Sequence, residues 1–271
     1  MIPYRKQPVK HRITTILFDL DDTLMVERQS ARESFLETIT ELDDAIDRNH
    51  FVGAIHEEAR KIWYGLPVIG YARKIGLSSW EALWGDFEGR GRDLEQLREI
   101  ARSYRESTWY NTLLRFGVDD PVLAANLASE FKRIRNTRHR LFPDAPSCLE
   151  RTGRSFGMGL ITNGVPDIQW KKIRGGGLQD RFRHIAISGE HGYAKPDPRL
   201  FTDLLGEMDR NAEHALMIGN NIRTDIAGAD ATGLTTVWIN REGSVNDEPG
   251  IRPDHEIGSL DELDAVLDSL S

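Results

Sequence analysis

The chain has 271 residues, 39% of them apolar and 29% charged, which is the balance of a folded protein rather than a disordered one. Its 43 aspartates and glutamates outnumber 35 lysines and arginines, and the net charge of −8 argues against a general nucleic-acid role. One cysteine, Cys148, excludes an internal disulfide framework and fits a reducing compartment, and no apolar run reaches the ~18 residues of a membrane span.

Residues 1–12 carry basic side chains with no apolar stretch behind them, so a short tail rather than a signal peptide is expected, on a soluble cytoplasmic protein. Residues 13–18 have the β-branched and apolar make-up of a buried parallel strand, and the run stops on Asp19, Leu20, Asp21, Asp22 and Thr23. Asp19 and Asp21, two apart, share one face of an extended backbone. Like charges that close repel unless something holds them, and a divalent cation is the simplest holder.

Beyond Leu24 the pattern is helical for more than a hundred residues. Phe35, Ile39, Leu42 and Ile46 predict an amphipathic helix over 27–48, and Phe51, Ile55, Ala59 and Ile62 a second. Ser78 and Glu81 form a capping box before Leu83, Trp84 and Phe87. A long helix is expected over 94–116, stopping at Gly117, and Asp120-Pro121 opens another carrying Leu123, Leu127, Phe131 and Ile134. From Leu141 strands alternate with helices: strands at 157–162, 184–188, 215–218 and 235–240, and helices at 147–152, 166–173, from Pro198, at 224–231 and at 260–267. This alternation predicts an α/β fold with right-handed crossovers and a three-layer parallel sheet. Residues 1–26 and 139–271 would form its core, and 27–138 an all-helical cap.

Four features fall at predicted strand ends, where open α/β sheets bind ligands. They are Asp19-Leu20-Asp21-Asp22-Thr23, Thr162-Asn163-Gly164, Lys195-Pro196-Asp197-Pro198, and Gly219-Asn220-Asn221-Ile222-Arg223-Thr224-Asp225. Their chemistry suits phosphoryl transfer: Asp19 as nucleophile, Asp21 as acid and then base, and Thr162 and Lys195 as partners for phosphate oxygens. In order and context they resemble motifs one to four of the haloacid dehalogenase (HAD) superfamily, phosphatase type, with a helical cap inserted after motif one. The resemblance covers residues 13–30 and about 141–240 and implies a Rossmann-like core. It implies Mg²⁺ as cofactor, held by Asp19, the backbone carbonyl of Asp21 and a motif-four carboxylate. Here the chain departs from the family, which commonly has Gly-Asp where this sequence has Gly219-Asn220. Asp225 is therefore expected to be the principal motif-four carboxylate, with Asn220 a neutral ligand or one step removed.

Other residues carry plainer readings. Asp22 is expected to shape the loop and cap a helix, Thr23 to bond backbone, and Asp197 to cap the helix at Pro198. Asn163 is a substrate-binding candidate that would equally satisfy a strand-end turn. Trp63, Trp80, Trp84 and Trp109 read as core packing, and His56, His139 and His191 as surface or packing residues. Arg28 and Arg32 lie where they could reach substrate, though solvated arginines are commoner. The leading function is hydrolysis of a small phosphorylated metabolite, as by nucleotidases or phosphoglycolate phosphatases, with no nucleic-acid or membrane partner. The alternatives are a 2-haloacid dehalogenase, which has no need of the acid at Asp21, and a phosphate-binding interaction module weakened at Asn220.

Overall fold

The computed structural model describes residues 12–270. The expected basic tail, apart from Arg12, lies outside them. Six strands form one parallel sheet: β1 (Thr15–Phe18), β2 (Gly157–Thr162), β3 (His184–Ile187), β4 (Ala215–Gly219), β5 (Thr235–Ile239) and β6 (His255–Ile257), in the order β3-β2-β1-β4-β5-β6. β1 is central, with Phe18 opposite Leu160 on one side and Ile218 on the other. The strand order reverses between β1 and β4, and such a switch point opens a crevice at the strands' carboxyl ends.

Side chains alternate across the sheet with period two. Ile16, Phe18, Leu160, Ile218 and Val237 face one way, towards Cys148 of α6 (Ala145–Thr152), Ile173 of α7 (Pro166–Gly175) and Leu263 of α11 (Leu263–Ser269). Leu17, Ile161, Ala215 and Met217 face the other, towards Leu200 and Leu204 of α9 (Pro198–Glu207) and Ala229 of α10 (Ala227–Thr232). A short helix, α8 (Ser188–His191), follows β3 directly. The three-layer parallel architecture expected from the sequence is present. β6 was not anticipated, since three residues give too little pattern to read. The helix expected over 224–231 begins instead as a π-helical turn, Ile222–Ile226, and the last one as a 3-10 turn, Leu260–Glu262.

Between β1 and α6 the chain is helical: α1 (Glu27–Thr38), α2 (Arg48–Trp63), α3 (Ile69–Ile75), α4 (Arg92–Arg115) and α5 (Pro121–Arg135). They enclose a core of their own, in which Phe35 stacks on Phe131 at 4.1 Å and Trp109 packs on both. Val165 and Ile168 from the start of α7 join that core, which seats the helices on the sheet domain. The single helix expected over 27–48 is two. Asp47 accepts hydrogen bonds from the backbone N–H groups of Asn49 and His50, opening α2, while α1 has already ended at Thr38. Ile39 is nevertheless fully buried, and Leu42 and Ile46 pack against the same core, so the periodic apolar residues mark burial without continuous helix. α3 was not anticipated. The stop at Gly117, with φ of +78°, and the Asp120 cap on Val122 and Leu123 agree with the sequence.

The chain leaves and re-enters the sheet domain as a narrow antiparallel pair: Val26 N–H donates to the Arg140 carbonyl, and Phe142 N–H to that of Leu24, each at 2.9 Å. His139 lies beside this seam, so close to Gly175 that a Cβ there would fall 2.4 Å from its ring. Burial, reinforced by the Arg135 charge, pushes its imidazole down to about 4. The unfolded chain takes up that proton near its ordinary ~6.5, so the neutral ring contributes stability that is complete above ~6.5 and lost as the pH falls towards the folded value. In urea unfolding measured from pH 6.5 to 4, a His139→Gln variant should lose less stability than the parent. Equal losses in the two proteins would refute this assignment.

Candidate active site

Asp19, at the end of β1, is 5% exposed and accepts from the Lys195 ammonium at 2.6 Å. The same Nζ lies 2.8 Å from Oδ1 of Asp225 and donates to the Ile161 carbonyl at 3.0 Å. Motifs one, three and four thus converge on one buried ammonium. Burial pushes the Asp19 carboxyl up to about 7, with Asp225 adding repulsion and Lys195 opposing both. Burial alone would make Lys195 a weaker base, but the two carboxylates outweigh it and hold its pKa above the ordinary lysine value.

The loops are held by side chains of the same motifs. Asn163 donates from Nδ2 to the Lys195 carbonyl at 3.1 Å and accepts from the Lys195 N–H at 2.9 Å, so both its polar atoms clasp the loop that carries the lysine. Thr23 Oγ1 accepts from the Asn220 N–H at 3.1 Å and donates to its Oδ1 at 3.4 Å, tying loop one to loop four. The Asn221 N–H donates to Asp225 Oδ2 at 2.9 Å. Gly219 leaves the space this needs, because a Cβ there would lie 2.3 Å from that oxygen. Asp22, at φ +58°, accepts from the N–H groups of Glu27 and Arg28 and caps α1, and Asp197 accepts from the Arg199 N–H to cap α9. These are the structural roles expected of Asp22, Thr23 and Asp197.

Asp21 faces a partner that sequence reasoning missed. Lys172 of α7 is fully buried and lies within 3.1 Å of both Asp21 carboxylate oxygens. It also lies 2.9 Å from Glu27 and 3.0 Å from Glu81, and Glu27 is paired in turn with buried Arg135. Gln169, one turn earlier, donates to Asp21 at 3.1 Å and to Thr162 Oγ1 at 2.7 Å. Burial raises the Asp21 carboxyl above its ordinary range, Lys172 working against that and Glu27 with it. The available signal was a Gln and a Lys three apart on α7, on the face that should have been apolar. Glu81 also closes the expected box with Ser78, whose hydroxyl donates to it at 2.6 Å, on a 3-10 turn, Glu81–Leu83.

A cavity of about 700 Å³ opens over these residues, with Asp19, Asp21, Thr162, Lys195, Asn220 and Asp225 on its floor and Arg28, Arg73 and Trp80 along its sides. Of the four tryptophans read as core packing, Trp63, Trp84 and Trp109 are buried, whereas Trp80 is half-buried on the cavity wall. Arg32 is elsewhere, bonded to Asn49.

A profile of haloacid dehalogenase-like hydrolases matches residues 13–233. The chain belongs to that family. It is 35% identical to a phosphoserine phosphatase of Thermus thermophilus, over 92% of this chain and 96% of that one. Among solved structures, the putative HAD-hydrolase YfnB of Bacillus subtilis bound to magnesium superposes with a TM-score of 0.67 at 25% identity, covering 95% of this chain and all of that one. A 2-haloacid dehalogenase of Pseudomonas syringae superposes at 0.59 with 25% identity, covering 96% and 100%. The chain is accordingly a hydrolase.

Lys172 is the only cation in direct contact with Asp21 among the described residues. Replacing it leaves three carboxylates facing one another around Arg135. Lys172→Met should therefore lower the unfolding free energy by about 3–5 kcal/mol, the usual cost of leaving buried charge uncompensated. A urea midpoint equal to that of the parent protein would show that this cluster is hydrated instead.

Proposed function

We propose that this hydrolase is a Mg²⁺-dependent phosphatase that cleaves a small phosphorylated metabolite through an aspartyl-phosphate on Asp19. The supporting observation is the pairing of Asp19 with Lys195 at 2.6 Å, with a second carboxylate, Asp21, two residues on and raised in pKa. Phosphoryl transfer asks for an in-line nucleophile, positive charge against the phosphate oxygens and a proton for the leaving oxygen. Asp19 attacks phosphorus, and Lys195 favours its ionised form against burial while facing the phosphate oxygens. Thr162, whose Oγ1 already accepts from Gln169, is left with its proton to donate to a phosphate oxygen. Asp21 protonates the departing alkoxide and then, as a carboxylate, takes a proton from the water that hydrolyses the acyl phosphate. Burial raises its pKa, which favours the protonated form that an acid needs.

The donor set fits Mg²⁺. Among the described residues no three acidic, imidazole or thiol side chains form a ready-made cluster. Two buried carboxylates, Asp19 and Asp225, nevertheless share a single lysine, and the repulsion between them is part of what pushes Asp19 up to about 7. That is a deficit of positive charge surrounded by oxygen ligands, the chemistry of a hard divalent cation. Asp225 Oδ1 accepts from Lys195 and, at 3.4 Å, from the Thr224 hydroxyl, while Oδ2 accepts from the Asn221 N–H and keeps a lone pair. Asp19, Asp225, the Asp21 carbonyl and the Asn220 amide oxygen would hold the metal. When bound it neutralises phosphate charge. Helices 27–138 serve as a cap that excludes water from the cavity. With one buried free cysteine and, among the described residues, no helix long and apolar enough to cross a membrane, the activity is proposed for the cytoplasm.

Phosphate release from an aryl phosphate tests the reading directly. Asp19→Asn or excess EDTA should each lower the rate on the order of 10³-fold or more, as loss of a nucleophile does. Halide release from 2-chloropropionate without any phosphate release would sink it in favour of the dehalogenase reaction.

A further inference from the structure

The loops after β1 and β2 each carry a group that the reaction needs, Asp21 and Thr162, and one side chain touches both. Gln169, at the end of the first turn of α7, is fully buried. Its Nε2 donates to Asp21 Oδ2 at 3.1 Å, to Thr162 Oγ1 at 2.7 Å and to the Asn163 carbonyl. Each of these acceptors belongs to one of the two loops. The second loop makes room for the glutamine. Gly164 has φ +135°, and a Cβ there would lie 3.2 Å from the Gln169 side chain.

The surroundings fix which way the amide faces. Its oxygen, Oε1, is buried with no hydrogen-bond partner among the described residues, and such unpaired acceptors are rare in folded proteins. Turning the amide over would bring that oxygen against the Asn163 carbonyl and the Asp21 carboxylate, which are acceptors themselves. The nitrogen is thus directed at both loops while the oxygen goes unpaired. On Asp21 it adds to Lys172, whose Nζ lies 3.0 Å from Oδ2 and 3.1 Å from Oδ1. Oδ2 therefore has two donors and Oδ1 one, which sets the rotation of the carboxyl group and leaves Oδ1 the less engaged oxygen. Lys172 divides its charge among Asp21, Glu27 and Glu81, whereas the donors of Gln169 go to the two loops alone.

Resting on the phosphatase reading above, we propose that Gln169 is the positioning residue for acid catalysis, holding the Asp21 carboxyl in register with the Thr162 hydroxyl that binds the phosphate. It touches no reacting atom and acts through Asp21. Its effect therefore scales with how much the leaving group needs a proton. Ethoxide is too basic to depart unprotonated, whereas dinitrophenolate departs as the anion.

The test compares ethyl phosphate with dinitrophenyl phosphate in kcat/KM, which reports transfer to Asp19 before the intermediate is hydrolysed. In the full-length protein with Mg²⁺, Gln169→Met should lower the ratio of ethyl to dinitrophenyl ester by ~10-fold or more, the scale of one hydrogen bond to a charged group. Gln169→Asn, one methylene too short to reach both loops, should lower it in the same direction and serves if the Met variant does not fold. Asp21→Asn should lower the ratio at least as far, and adding Gln169→Met to it should lower it no further, because the glutamine acts through the aspartate. A merely structural role would slow both esters alike. An unchanged ratio in the Gln169 variants, or a fall that adds in full to that of Asp21→Asn, would overturn the proposal and leave the phosphatase reading intact. Failure to release phosphate from either ester, with Asp19→Asn no different from the parent, would overturn both.

Discussion

One buried ammonium, that of Lys195, organises the carboxyl edge of the sheet. Asp19 and Asp225 arrive from the two strands between which the chain order reverses, and desolvation there makes each charge expensive. Without a cation between them the loops after β1 and β4 would be driven apart by repulsion or neutralised by protons. Lys195 enters from the loop after β3, at the far side of β2, and its Nζ reaches across to both carboxylates and to the Ile161 carbonyl. Much of the surrounding detail serves to hold that lysine still. Asn163 grips its backbone on both sides, and Gly219 gives Asp225 the room to approach.

The same solution is used a second time, a few ångströms away, between the sheet domain and the helices above it. Lys172 gathers Asp21 from loop one, Glu27 from the start of α1 and Glu81 from the turn before α4, and Arg135 closes the cluster from α5. Breaking such a set by removing one member is costly, whereas the intact set contributes little net stability. Its consequence is geometric. Asp21 is fixed through Lys172 to the helices beside the cavity, so a shift of the helices changes its surroundings. Gln169 extends the link to Thr162, joining motif one to motif two through a helix that carries neither.

Much of this was legible in the sequence, and what was hidden was hidden for physical reasons. Strands with continuous apolar runs between glycines and carboxylates showed themselves, β2 to the residue, because burial on both faces leaves no other composition. The four loops were legible because chemistry narrows residue choice at strand ends. The buried cluster around Lys172 was not, because its members are scattered over 27, 81, 135 and 172 and only the packing of the helices brings them together. A lysine in a helix reads as solvated until its surroundings are known. Of the two arginines near motif one in the chain, Arg28 lines the cavity while paired with Asp22, and Arg32 is bonded to Asn49 elsewhere. Arg73, which lies over the Tyr64 ring, sits on a helix too short to betray itself by periodicity.

The asparagine at position 220 now has a physical setting. Its amide oxygen accepts from Thr23, its N–H donates to the same hydroxyl, and its carbonyl accepts from the Trp238 indole at 2.9 Å. An aspartate there would put a third carboxylate beside Asp19 and Asp225, with Lys195 still the one ammonium shared among them. Asp19 is already pushed up to about 7 by burial and by Asp225. Another negative charge within a few ångströms would push it further. Asparagine keeps an oxygen at that position while holding the charge down. The asparagine in place of the expected aspartate therefore leaves the Asp19–Lys195–Asp225 set as it stands. Asp225, the acid of that loop, is fully enclosed and held by three partners, Lys195, the Asn221 N–H and the Thr224 hydroxyl.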